Sequence, residues 1–223
     1  MTMTETRPDT DEATEPFTAT VLVDDFRRVL HNAVVFAGKD NKRPVLTCVN
    51  LVFNADNTLT AIATDSYMIG LDTCDYDGTT PSPRDVADHD PSDSLSFMAS
   101  RSEIEQLLKA IAKLAAIAPA ALRIEGDTLT VAYAGGTVEL TRAIGQFPNW
   151  RQLVPSSTAP TERIAWNPQF LAKLAKVKTA SGINEPAVFT LQGELKTTKI
   201  QVGDTFIGLL MPARIPELTE KRS

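Results

Sequence analysis

Groups able to do acid–base, nucleophilic or metal chemistry are few and scattered in this chain. The histidines are His31 and His89, and His89 sits in an acidic stretch. Cys48 and Cys74 lack metal-ligand spacing and are too few for a disulfide framework, so they read as ordinary thiols of a reducing compartment. No Ser/His/Asp or Cys/His set has a recognisable local context. Ala134-Gly-Gly-Thr137 is glycine-rich but lies between two expected strands, where it makes a hairpin turn and not a phosphate loop. Asp65 ends an expected strand with no partner in view. Enzymatic activity, bound metal and cofactor are all unexpected.

Basic side chains offer a second kind of chemistry. At 100° per residue, Arg28, His31 and Asn32 fall opposite the apolar stripe of a first helix, Lys109 and Lys113 opposite a second, and Lys173 and Lys176 on the polar side of a third. A lysine on one exposed helix is usually only a solvated surface. Bases in the same relative place on three helices point to a positive surface that holds a phosphate backbone without reading bases. Lys39, Lys42 and Arg43 extend it. The formal charge of −6 does not oppose this, because residues 1–16 carry −4 and residues 72–93 carry −6, leaving about +4 elsewhere.

The elements that position these groups form a repeated pattern: a strand, an amphipathic helix, then two or three strands. The first copy has a strand at 17–23 and a helix from Asp24/Asp25 to about Ala37, with Phe26, Val29, Leu30, Ala33 and Val34 inward. Its strands follow at about 45–54, 58–64 and 67–73. The second has a strand at 94–99 and a helix capped by Ser100 or Ser102 running to about Ile117, then strands near 121–125, 128–133 and 137–143. The third has a strand at 163–166, Asn167 as N-cap, Pro168 at the first helical position, and strands near 187–191, 195–201 and 206–213. With 223 residues, 43% of them apolar, the chain can bury one large or two modest cores, and it holds no membrane-length apolar run.

Three motifs occur in an order that resembles the bacterial DNA sliding clamps, the beta subunits of the replicative polymerase. They are Ala61-Ile-Ala-Thr-Asp-Ser-Tyr-Met-Ile-Gly70, Gln146-Phe-Pro-Asn-Trp-Arg-Gln-Leu-Val-Pro155 and Leu209-Leu-Met-Pro-Ala-Arg-Ile215. Arg163-Ile-Ala-Trp-Asn-Pro-Gln-Phe-Leu171 is similar to the helix entry of the family's last domain. The resemblance implies an α+β clamp fold of three repeats. One clamp domain would span 17–150 with an acidic linker at 74–92, a connector 151–160, and half a clamp domain 161–215. A tail at 1–16 and another at 216–223 would flank them.

The resemblance also implies a peptide pocket with Leu46, Thr64, Ser66, Tyr67, Met68 and Ile69 on one wall, and Pro155, Leu209, Leu210, Met211, Pro212 and Arg214 on the other. Aliphatic and methionine side chains suit an adaptable slot for hydrophobic anchors. The DNA-facing set would be Arg28, Lys42, Arg43, Lys109, Lys113, Lys173 and Lys176. Two departures bear on peptide preference: the family usually has Gly-His-Arg at Ser66-Tyr67-Met68, and commonly a second hydrophobic residue where Ala213 stands. The function implied is a cytoplasmic processivity factor that encircles duplex DNA as a homo-oligomer and tethers a polymerase, with a clamp loader as a further partner. Counting repeats gives a tetramer, and the short form suits a mobile element such as a phage. The alternatives are a non-encircling module that competes for or recruits clamp-binding proteins, and a foreign subunit of a full-length clamp.

Overall fold

The computed structural model describes residues 16–78, 95–155, 158, 161 and 164–214. The expected tails, apart from Pro16, and residues 79–92 of the expected linker lie outside them. β1 (Phe17–Leu22) alternates buried and exposed residues, the period of a strand with one face on a core. It leads directly into α1 (Val23–Phe36), whose first turn carries Asp24 and Asp25, favourable at the positive end of the helix dipole. β2 (Cys48–Phe53), β3 (Thr58–Thr64), β4 (Met68–Asp75) and the short β5 (Asp77–Gly78) complete the first repeat.

The second repeat comprises β6 (Leu95–Ser100), α2 (Arg101–Ile111), β7 (Pro119–Glu125), β8 (Thr128–Tyr133) and β9 (Gly136–Thr141). A capping box opens α2: the Ser100 hydroxyl accepts the Glu103 N–H, and the Glu103 carboxylate accepts the Ser100 N–H. The helix ends at Ile111, six residues before the expected Ile117. The Arg27 guanidinium explains the early stop, donating to the carbonyls of Ile111, Ala112 and Leu114 at 3.4, 2.9 and 3.2 Å and so satisfying groups a helix end leaves open. Pro119 then starts β7 opposite Leu22.

In the third repeat, α3 (Pro168–Leu174) begins as expected, with the Asn167 side chain accepting from Gln169 N–H and Pro168 in the first turn. β10 (Ala187–Thr190), β11 (Thr198–Val202) and β12 (Phe206–Leu210) follow. The strand expected at 163–166 is absent from the described residues 164–166. Its absence has a topological reason. In the first two repeats the leading strand crosses over, β1 pairing with β7 and β6 with β2. Among the described residues no further repeat offers the third one a strand to cross to.

Two antiparallel sheets result, with strand orders β5-β1-β7-β8-β9 and β10-β11-β12-β4-β3-β2-β6. The main core lies among α1, α2 and both sheets, with Phe26, Leu30, Leu51, Phe53, Phe97, Ile104 and Leu107 fully buried. A second cluster joins Phe36 of α1 to Met68, Ile200, Phe206 and Leu210, with Phe170, Leu171 and Leu174 of α3 against it. Gly70 is required beneath Phe36, because a Cβ there would collide with the ring.

A buried polar network ties the first repeat to the third. Arg28 Nη1 donates to Asp72 Oδ1 and Oδ2 at 2.7 and 2.6 Å and to Thr205 Oγ1 at 2.8 Å. Asn32 Nδ2 donates to Asp72 Oδ2 and to the Lys178 carbonyl, both at 2.7 Å, and Asn32 Oδ1 accepts the Lys178 N–H at 2.8 Å. Burial opposes the Arg28 charge, but the Asp72 and Asp25 carboxylates more than compensate and raise its pKa above the ordinary value. His31 beside it has its pKa lowered by burial, against its contact with the Lys176 carbonyl. Among the described residues no helix is long and apolar enough to cross a membrane.

Removing the Asp72 carboxylate strands a buried guanidinium. Asp72→Ala is expected to cost about 3–5 kcal/mol in urea denaturation. Arg101→Ala, which breaks a partly exposed pair with Glu105, is expected to cost under about 1 kcal/mol. Equal losses for the two variants would contradict the anchoring role of Asp72.

Candidate functional site

The two motif segments become neighbouring strands. β4 and β12 pair antiparallel, placing Ile69 opposite Leu209 and Met68 opposite Leu210. Side chains alternate across a sheet, so these pairs face opposite ways. Ile69, Leu71 and Leu209 join Val52 and Ile62 on one face, where Phe147, Trp150 and Val154 of the connector pack on them. Met68 and Leu210 lie on the other face, in the cluster with Phe36 and Phe206, and are fully buried. They are therefore not on the same surface as Ile69 and Leu209, which corrects both expected walls, since Met68 parts from Ile69 and Leu210 from Leu209.

The turn between β3 and β4 is held from several sides. The Asp65 carboxylate accepts the N–H groups of Tyr67 and Met68 at 3.0 and 2.9 Å. The Thr64 hydroxyl donates to the Met68 carbonyl at 3.0 Å and accepts the Ser66 N–H at 3.2 Å. From α3, Lys173 Nζ reaches Asp65 Oδ2 at 2.6 Å, and Phe170 stacks on Tyr67 with centroids 5.3 Å apart. The Tyr67 carbonyl accepts the Met211 N–H at 3.0 Å, so the turn and the segment after β12 are stitched together. Ser66 has φ 81°, a left-handed conformation that favours glycine.

The remaining expected pocket residues surround this turn. Leu46, in the 3-10 turn Pro44–Thr47, is half-buried, and its carbonyl accepts the Gly38 N–H at 2.7 Å; the same N–H lies 3.3 Å from the Thr64 carbonyl. Ser66 and Arg214 are exposed, and Pro155 and Pro212 are half-buried. Tyr67 is 60% exposed and Met211 41%, which makes them the large apolar side chains open to a ligand at the site. Thr64, Ile69 and Leu209 are buried and shape the floor.

The expected basic surface divides. Lys39, Lys42, Arg43, Lys109, Lys113 and Lys176 are exposed, although Lys113 lies beyond the end of α2. Arg43 also approaches the Ser66 hydroxyl at 3.3 Å. Arg28 is a correction: it is 7% exposed and held by Asp72. Asn32 is fully buried in the same network, and His31 Nε2 donates to the Lys176 carbonyl at 3.1 Å. Lys173 is also corrected, since its ammonium is paired with Asp65. Lys173 of α3 is drawn to the turn of the first repeat, and the other three share one reason. The face of α1 opposite its main stripe is covered by the third repeat, and that contact depends on residues more than 140 positions away. A cleft of about 320 Å³ lies nearby, lined by Gly38, Lys39, Asn41, Thr47, Ser100, Arg101, Ser102 and Glu105. Its Arg101 is occupied by Glu105 and the Ala37 carbonyl.

Residues the sequence reading missed are Asp65 as the organiser of the turn, Phe170 and Lys173 as its supports, and Trp150 and Phe147 as the cover over Ile69. Asp65 carried a usable signal, since an Asp followed by a two-residue turn commonly accepts from its own backbone.

Solved structures share the fold. A DNA polymerase sliding clamp from Pseudomonas aeruginosa matches with a TM-score of 0.74 and 12% identity, over 94% of this chain and 70% of that one. The chain has the sliding-clamp fold. DNA polymerase III beta subunit from Thermotoga maritima matches with a TM-score of 0.72 and 14% identity, over 94% of this chain and 68% of that one. The Bacillus subtilis sliding clamp gives 0.70 and 14%, over 95% and 67%. No protein-family profile and no curated protein matches by sequence. The likeness to sliding clamps is therefore carried by the fold, with this chain spanning about two thirds of each clamp.

Ser66 tests the turn geometry. Ser66→Gly is expected to raise stability by about 0.5–1 kcal/mol, because glycine adopts a positive φ without the Cβ clash. Thermal denaturation reads it, and a fall in the midpoint would show that the serine hydroxyl outweighs the backbone strain.

Proposed function

We propose that the chain is a DNA sliding clamp-type processivity factor: copies close into a ring around duplex DNA and hold a polymerase through a short peptide at the turn between β3 and β4. The observation that carries this reading is the pairing of β4 with β12, which brings the Thr64–Ile69 and Leu209–Arg214 segments together at one end of two central strands of a clamp-fold sheet. Tyr67 and Met211 would be the contacts for the peptide's hydrophobic anchors, with Leu46, Pro155 and Pro212 beside them and Arg214 available to a polar or acidic end. The buried Ile69 and Leu209 give the site a rigid floor, so little ordering entropy is left to oppose binding.

The exposed Lys39, Lys42, Arg43, Lys109, Lys113 and Lys176 would meet DNA phosphates. Such contacts are individually weak and read no sequence, which suits a ring that must slide. Retention then comes from topology. Catalysis has no place in this reading, and the cargo is the polymerase or another clamp-binding protein.

Two measurements test it. A fluorescent clamp-binding peptide should lose at least about tenfold in affinity with Tyr67→Ala plus Met211→Ala. An affinity unchanged in that double variant would move the peptide site elsewhere. Purified protein should stay on nicked circular DNA and leave when the circle is cut. Lys109→Glu, Lys113→Glu and Lys176→Glu together should lower that retention and flatten its salt dependence by about three counterion equivalents. Equal retention on circular and linear DNA would rule out encirclement and favour the non-encircling peptide-binding module.

A further inference from the structure

The first two repeats show how a repeat of this fold completes itself. The strand leading into each helix pairs with the first strand after the other repeat's helix: β1 with β7, from Phe17 opposite Ile124 to Leu22 opposite Pro119, and β6 with β2, from Leu95 opposite Phe53 to Ser100 opposite Cys48. In the third repeat the corresponding pieces are the segment Ile164–Trp166, which leads into α3, and β10. Among the described residues β10 pairs with β11 on one edge and with no strand on the other.

The segment Ile164–Trp166 is already placed like a leading strand. β1 has β5, the residues following β4, on its second edge, with Ala19 opposite Gly78. Likewise the Ala213 N–H, from the residues following β12, donates to the Ala165 carbonyl at 2.7 Å. Trp166 stands two positions before its helix, as Val21 and Ala99 do before theirs, and both of those are buried. Its indole points to the core side, donating to Thr198 Oγ1 at 3.3 Å with its ring 5.4 Å from Phe189. Among the described residues one edge of the segment thus has a partner and the edge used for crossing over has none, while Val188 at 59% and Phe189 at 38% stand exposed on β10. An unpaired strand edge carrying exposed apolar side chains is a template for another strand.

We infer that two copies of this chain join through their third repeats by reciprocal strand exchange, Ile164–Trp166 of each pairing antiparallel with β10 of the other. The two half domains then make one complete two-repeat domain about a twofold axis. The contact is isologous, since each copy gives the same segment and receives on the same strand. Face matching limits the register. Phe189 pairs with the core-facing Ile200, and Val188 with the exposed Gln201. Core-facing Trp166 must therefore lie opposite Ala187 or Phe189, and outward-facing Ala165 opposite Val188 or Thr190. This goes beyond the ring reading and holds without DNA or peptide.

Disulfide trapping of the full chain tests it. Directly opposed residues on antiparallel strands have Cβ atoms about 4.5–5.5 Å apart, close enough to be bridged. Ala165→Cys with Val188→Cys, or Ala165→Cys with Thr190→Cys, should give a covalent dimer on mild oxidation that disappears on reduction. The native thiols stay silent, since Cys48 and Cys74 are buried and burial pushes the Cys74 pKa up to about 12. Lys109→Cys with Val188→Cys is the control. Dimer no stronger than this control in both pairs overturns the inference. In addition, Phe189→Lys should weaken self-association at least about tenfold by light scattering across a dilution series, and association unchanged by it likewise overturns the inference. Trapped dimers without retention on circular DNA would leave this contact standing and remove the ring. Retention without trapping would remove this contact alone.

Discussion

Everything distinctive in this structure depends on the third repeat being fastened to the first. Five residue pairs between β4 and β12 supply the backbone ladder, from Phe206 opposite Asp72 to Leu210 opposite Met68. On one side of that ladder Phe36, Met68, Phe206 and Leu210 form an apolar cluster, and on the other Ile69, Leu71 and Leu209 are covered by the connector. The Arg28–Asp72–Asn32 network sits alongside and reaches Thr205 and Lys178. Two apolar clusters provide most of the attraction. The buried ions add direction, because a guanidinium taken out of water is stable only beside its carboxylate.

That junction is also what creates the candidate site. The turn at Asp65–Tyr67 belongs to the first repeat, yet its supports Lys173 and Phe170 come from α3 and its stitching bond from Met211. A peptide docking there would touch Tyr67 and Met211, contributed by the first and third repeats. A site assembled across a junction is pre-organised only while the junction holds, so stability and recognition are linked here through the same residues. The strained φ of Ser66 sits at the centre of this arrangement, where the surrounding bonds over-determine the backbone.

Among the described residues, the edge of β10 that pairs with no strand and the strandless Ile164–Trp166 follow from the same construction. The first two repeats complete one another by exchanging strands, and the third, among the described residues, shows a deficit. The deficit has a shape: one donor segment and one acceptor edge, both in the same chain. A second copy carries their complements.

The sequence by itself determined the local elements with short-range causes. Ser100 with Glu103 fixes the start of α2, Asn167 with Pro168 fixes the start of α3, and Gly126 and Gly135 permit tight hairpins with positive φ. The three motifs also made the clamp fold legible, because each keeps its pattern within a few residues. Tertiary structure decided what depends on distant parts of the chain. Arg28, Asn32 and Lys173 read as solvent-facing from helical periodicity, but periodicity records only one packed side, and a second partner turned their faces inward. Met68 and Ile69 stand side by side in the sequence and on opposite faces of the sheet, so a motif shared by both could not say which one meets a ligand. The end of α2 was set by Arg27, a side chain from another helix, and the missing strand before α3 by the lack, among the described residues, of a crossing-over strand from another repeat. A strand is a property of two segments, and one sequence segment cannot supply its own partner.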